Sequence, residues 1–235
     1  MPLALPERLP TALQHAPVDA DAAFCPSRRQ HLRQGLSLGL AVMALGLSAC
    51  DKAGVNPMEP PKLKFNAVDI TGADYGKDLN LPDTTGKKRS LAEFKGKVVV
   101  VFFGFTQCPD VCPTTMAQLA ELRRKLGPDG DKLQGIFVSI DPERDTPEVL
   151  AEYIKALDPS FVALRGSLDE LSQAARDFKV FYQKVPTADG KSYTMDHTAG
   201  SFVFDPQGRV RLFVRYGMTL PQLEGDVRQL MALKA

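Results

Sequence analysis

The run Lys97 to Phe105, KVVVVFFGF, constrains this chain more than any other stretch. β-Branched and aromatic side chains succeed one another there without a polar interruption, so the run predicts a central strand buried on both faces. Beyond it, helix and strand patterns alternate. Met116, Leu119, Leu122 and Leu126 recur at helical spacing and predict a helix over Thr114 to Leu126, stopped by Gly127-Pro128. A strand is expected at Ile136 to Ile140, a helix at Pro147 to Leu157, a short strand near Phe161 to Leu164 and a helix at Leu168 to Phe178. Strands Gly200 to Phe204 and Val210 to Tyr216 flank a Pro206-Gln207-Gly208 turn, and a last helix covers Pro221 to Leu233. Upstream, Leu79 to Ser90 has the pattern of a hairpin with Gly86 in its turn. The expected fold class is α/β, a mixed sheet flanked by helices.

The first fifty residues have a different character. Leu36 to Ala49, LSLGLAVMALGLSA, carries no charge, comes after Arg28, Arg29 and Arg33, and is shorter than the ~20 apolar residues a comfortable membrane span requires. It is expected to be a signal peptide. Its end, Leu47-Ser48-Ala49-Cys50, resembles a bacterial lipoprotein box, which makes Cys50 the lipid-bearing residue; a plain secretory signal or an uncleaved anchor is the alternative. Ser27 to Arg33, SRRQHLR, also resembles a twin-arginine signal, and the general export route fits the same residues. Asp51 to Leu63 has three prolines and little apolar content, as a tether would. The organisation expected is therefore residues 1–50 extension and signal, 51–63 tether, and 64–235 a single domain.

Charge narrows the partners. Twenty-nine Lys and Arg stand against 28 Asp and Glu. That balance leaves no basic excess for a nucleic-acid backbone, so no nucleic acid is expected as partner. The part beyond Cys50 is formally neutral, and membrane attachment would rest on the lipid anchor.

The chemistry lies where the buried strand should give way to a helix, at Gly104-Phe105-Thr106-Gln107-Cys108-Pro109-Asp110-Val111-Cys112-Pro113. Unpaired amides and the helix dipole at such a terminus favour thiolate, so both cysteines are expected to have lowered pKa values. Their Cys-x-x-x-Cys spacing is one residue longer than the redox Cys-x-x-Cys and leaves room for two sulfurs to converge on one ion. A disulfide is the bland alternative; it would close too small a loop to add much stability.

These residues, with Val138 to Pro147 (VSIDPERDTP) and Asp196-His197-Thr198, give the chain a resemblance to the Sco/SenC family of thioredoxin-fold copper chaperones of cytochrome c oxidase assembly, from about Phe65 onward. The resemblance implies a thioredoxin-like fold and one copper ion held by Cys108, Cys112 and His197. It implies delivery to the binuclear copper centre of cytochrome c oxidase subunit II, from a lipid anchor in the bacterial cell envelope facing the periplasm. The chemistry agrees. Two thiolates and an imidazole suit Cu(I), and with an added oxygen ligand or water they hold Cu(II). A structural zinc site would want a fourth strong ligand.

Neighbouring residues have readings of their own. Asp145, with Glu148 after it, is expected to cap the helix from Pro147. Asp141 is the candidate for supporting the ligands or for a role tied to redox state. Met116 is expected in the core, and Met195 is open between core and copper. The chain is expected to be a transfer protein and no enzyme. The rival is a thiol-disulfide oxidoreductase that reduces the oxidase subunit's cysteines through the Cys108 and Cys112 pair; a peroxidase of the same fold lacks its motif. No proline occurs between Lys191 and Asp205, where such oxidoreductases place a proline loop, which favours metal.

Overall fold

The computed structural model describes residues 63–233. The expected signal segment, Cys50 and nearly all of the expected tether lie outside the described residues. Among those described, no helix is long and apolar enough to cross a membrane.

The apolar run is β4 (Val98–Gly104), every residue of it buried. The chain reaches it through β1 (Val68–Asp69), β2 (Asn80–Pro82) and β3 (Lys88–Ser90). It continues through α1 (Val111–Lys125), β5 (Leu133–Ser139), α2 (Pro147–Leu157), β6 (Val162–Leu164) and α3 (Leu168–Asp177). β7 (Tyr182–Pro186), β8 (Tyr193–His197), β9 (Gly200–Phe204), β10 (Val210–Arg215) and α4 (Leu220–Met231) complete it. The main sheet runs β1-β10-β9-β4-β5-β6. β4, β5 and β6 are parallel, whereas β9 and β10 are antiparallel to their neighbours. It is the mixed α/β sheet the sequence predicts.

Alternate residues of β4 feed opposite faces of the sheet. Phe103 joins Phe178, Phe202 and Phe204 on the face where α3 ends. Phe102 turns the other way, to Phe137, which packs on Tyr153 of α2. Each fully buried aromatic of this kind contributes about 1.5–3 kcal/mol. Helix starts obey local chemistry: Ser167 and Glu170 form a capping box on α3, and the Thr146 side chain caps α2 with Pro147 after it. Asp145, the expected cap, is instead fully buried and bonds to Thr106, in the loop that carries the cysteines.

Two further differences matter for function. α1 begins at Val111, three residues before the expected Thr114, so Cys112 sits inside its first turn. β7 and β8 form a separate two-stranded hairpin, which the sequence pattern did not reveal, and His197 is its last residue.

Candidate metal centre

Because β4 and β5 are parallel, the loops after both emerge on the same sheet edge, where ligands of α/β proteins gather. Cys108 lies in the first loop, half-buried, and Cys112 is buried one helical turn on. The Cys112 amide donates to Cys108 Sγ at 3.4 Å, so the helix start faces the first sulfur. His197 comes from 85 residues away, its Nε2 3.7 Å from Cys112 Sγ. The three donor atoms lie within 4.8 Å of one another. They are the one such group of Cys, His, Asp or Glu among the described residues, so the set expected from sequence is brought together in space.

Each donor is prepared differently. His197 Nδ1 faces the Thr198 carbonyl at 3.1 Å, which assigns the proton to Nδ1 and leaves the Nε2 lone pair toward the sulfurs. Phe102 and Phe105 stand edge-on to its ring, and burial holds its pKa below the usual imidazole range. It is neutral at pH 7, as a ligand must be. For Cys112 the structure corrects the expectation of a lowered pKa. Burial pushes its thiol far up, and the nearby Cys108 and Asp145 push the same way, outweighing a hydrogen bond from the Phe105 backbone. The helix terminus favours thiolate only where water or a cation can share the charge. A metal cation held here would have to displace the Cys112 proton.

Close packing fixes the buried sulfur. A Cβ on Gly104 would lie 2.9 Å from Cys112 Sγ and 2.7 Å from Phe102 Cε1, so no larger residue fits at the end of β4. Asp145 holds the loop after that strand. It accepts the Thr106 amide at 3.2 Å, the Thr106 hydroxyl at 2.6 Å and the Ser139 hydroxyl at 2.6 Å. Burial raises its pKa against those hydrogen bonds.

Asp141 serves the other side of the site. It is buried, accepts the Tyr193 hydroxyl at 2.9 Å and pairs with Arg144, so it reaches the ligands through the hairpin and not by contact. Arg144 is a residue that sequence reasoning missed. Its guanidinium stacks 3.8 Å from the Tyr193 ring and donates to the Tyr193 carbonyl at 2.7 Å and to Gln107 Oε1 at 3.1 Å, tying hairpin to cysteine loop. Met116 is buried in the core as expected, and Met195 is buried in the hairpin among core residues.

Two sulfurs and one nitrogen, with no carboxylate turned toward them, make an open set for a soft ion. The same thiols are close enough for redox chemistry as a pair. Fold and site together define a thioredoxin-like protein with a Cys-Cys-His metal-binding edge. The chain belongs to the SCO1/SenC family, whose pattern it matches over residues 68–232. It is 32% identical over 157 residues to the human mitochondrial protein SCO2 homolog, covering 66% of this chain and 59% of that one. The chain thus spans about three-fifths of the length of the mammalian relatives it matches. Among solved structures, Bradyrhizobium japonicum ScoI with copper bound shares 39% identity, with a TM-score of 0.60 over 67% of this chain and 99% of that one. The apo Sco1 protein from Thermus thermophilus also shares 39%, with a TM-score of 0.64 over 73% of this chain and 99% of that one.

Proposed function

We propose that this protein carries one copper ion on Cys108, Cys112 and His197 and passes it to the binuclear copper centre of cytochrome c oxidase subunit II. The observation that carries the reading is the convergence of two sulfurs and an unprotonated Nε2 within 4.8 Å, from segments far apart in sequence. That set matches Cu(I) in softness and leaves positions open. An incoming thiolate or imidazole can then displace one protein ligand at a time, and an added oxygen ligand or water would accommodate Cu(II). In this reading the copper is cargo, and the chain is no catalyst. Lipid attachment at Cys50, with 51–63 as tether and 64–235 as the working domain, would hold it on the outer side of a bacterial membrane, facing the periplasm. Metal analysis of the reduced protein tests the site. Cys108→Ala, Cys112→Ala or His197→Ala should each abolish tight one-to-one Cu(I) binding, and full retention in any of them would remove the proposed ligand set.

One observation favours a second reading, reduction of the oxidase subunit's cysteines. Cys108 is half-exposed and Cys112 buried, the asymmetry expected of an attacking thiol and a resolving one. His197→Ala separates the two. A carrier loses function in cells while disulfide exchange in vitro persists; a reductase keeps both.

A further inference from the structure

The two halves of the centre come from segments that share no strand pairing. Cys108 lies in the loop after β4, and His197 ends a hairpin that joins no strand of the main sheet. Donors that converge from separate segments bind an ion well only if those segments are already held together in the empty protein. Arg144, in the turn between β5 and α2, reaches both of them from a third segment.

The side chain is mostly buried, and its Nε pairs with the buried carboxylate of Asp141. Nη1 turns instead to two neutral oxygens, Gln107 Oε1 at 3.1 Å and the Tyr193 carbonyl at 2.7 Å. Gln107 immediately precedes Cys108, and Tyr193 begins the strand that His197 ends. The guanidinium also lies 3.8 Å from the centre of the Tyr193 ring and 5.8 Å from that of Phe105, the ring that stands edge-on to His197. The Tyr193 hydroxyl donates to Asp141 and closes the circuit. Neutralising Asp141 takes only Nε; Nη1 spans the two halves of the centre. A lysine ammonium, a point charge on a flexible stem, has no planar fork with which to hold the carboxylate, both oxygens and the ring stack together.

We infer that Arg144 is a positioning residue for copper binding: it clamps the cysteine loop and the hairpin at binding distance, so that Cys108, Cys112 and His197 meet an incoming ion already assembled. The inference rests on the copper-binding reading above. Arg144 touches no donor atom and acts through Gln107 and Tyr193.

Arg144→Met keeps the aliphatic stem and removes the guanidinium. In competition with a chromophoric Cu(I) chelator it should bind about ten-fold more weakly than wild type, and Arg144→Lys should be as weak. In the copper-free variants, amides of β7 and β8 should exchange faster while β4 and β5 stay protected. In a His197→Ala background the hairpin supplies no ligand, so Arg144→Met should change the residual affinity of the two thiols by less than about two-fold. Equal losses in both backgrounds would mean a general effect on the fold and would overturn the inference, as would wild-type affinity in Arg144→Met or Arg144→Lys. If Arg144→Met, with Asp141 left unpaired, fails to fold, Gln107→Ala decides, since it removes only an exposed arm of the clamp. About three-fold weaker copper binding is expected from it, and unchanged affinity would overturn the inference. A wild-type protein that takes up no Cu(I) would instead remove the copper reading itself.

Discussion

The two halves of the candidate metal centre are held in contrasting ways. Cys108 and Cys112 stand at the seam of β4 and α1, where every strand residue is buried and Cys112 Sγ fills the space a side chain at Gly104 would need. His197 ends a hairpin that pairs with no strand of the main sheet, and of its ten strand residues only Met195 is buried. The hairpin is fastened by polar contacts: Arg144 to the Tyr193 carbonyl, Tyr193 to Asp141, Lys184 to Glu143, and Phe181 with Thr198 at the base. Elements with few buried apolar contacts open at lower free energy than core elements. In the proposed carrier the imidazole would accordingly be the ligand that leaves and returns most cheaply during exchange, with the thiols as the steadier cradle.

Substitutions on each side should sharpen that contrast. The largest effect is expected on the cysteine side, from Asp145→Ala. It leaves the half-buried Thr106 amide and hydroxyl and the buried Ser139 hydroxyl without their acceptor, at a cost of about 3 kcal/mol to global stability by urea unfolding. Gly104→Ala should come next at about 2 kcal/mol, because the added methyl has no space beside Cys112 and Phe102. On the hairpin side, Tyr193→Phe loses one hydrogen bond to a buried carboxylate, about 1 kcal/mol. Hydrogen exchange should show that loss as faster opening of β7 and β8, with β4 and β5 protected as before. Uniformly faster exchange through the main sheet would break the contrast.

The smallest effect concerns pH. Burial depresses the His197 pKa, so the folded state resists protonation more than the unfolded chain does. Its contribution to stability is complete above the ordinary imidazole value of about 6.5 and is lost as pH falls through the lower folded value. The stability difference between wild type and His197→Gln should thus be constant above neutrality and shrink in acid.

The same contrast marks how much was legible in the sequence. β4, α2 and β9 arise from apolar runs and helix-start residues, whose signals are local. The convergence of Cys108, Cys112 and His197 was legible only through the resemblance, because an apolar run says nothing of which loops share an edge until the strands are known to be parallel. The hairpin was missed because its strands are largely exposed and lack strong hydrophobic alternation. Asp189-Gly190, midway between Tyr182–Pro186 and Tyr193–His197, is the turn signal that could have found it. The cap of α2 was misassigned by one residue, Asp145 for Thr146, since both side chains can cap and only burial tells them apart. The raised Cys112 pKa was hidden for a related reason: a helix terminus is visible in sequence, but the desolvation opposing it comes from close packing with Phe102, Phe137 and Gly104 on the strands.

The most direct test of the central claim is X-ray absorption at the copper edge on the reduced, Cu(I)-loaded protein, with His197→Ala alongside. The account predicts two sulfur donors and one imidazole nitrogen in wild type, with the nitrogen signal gone in the variant. An all-sulfur copper site, or spectra that are the same in the two proteins, would contradict it.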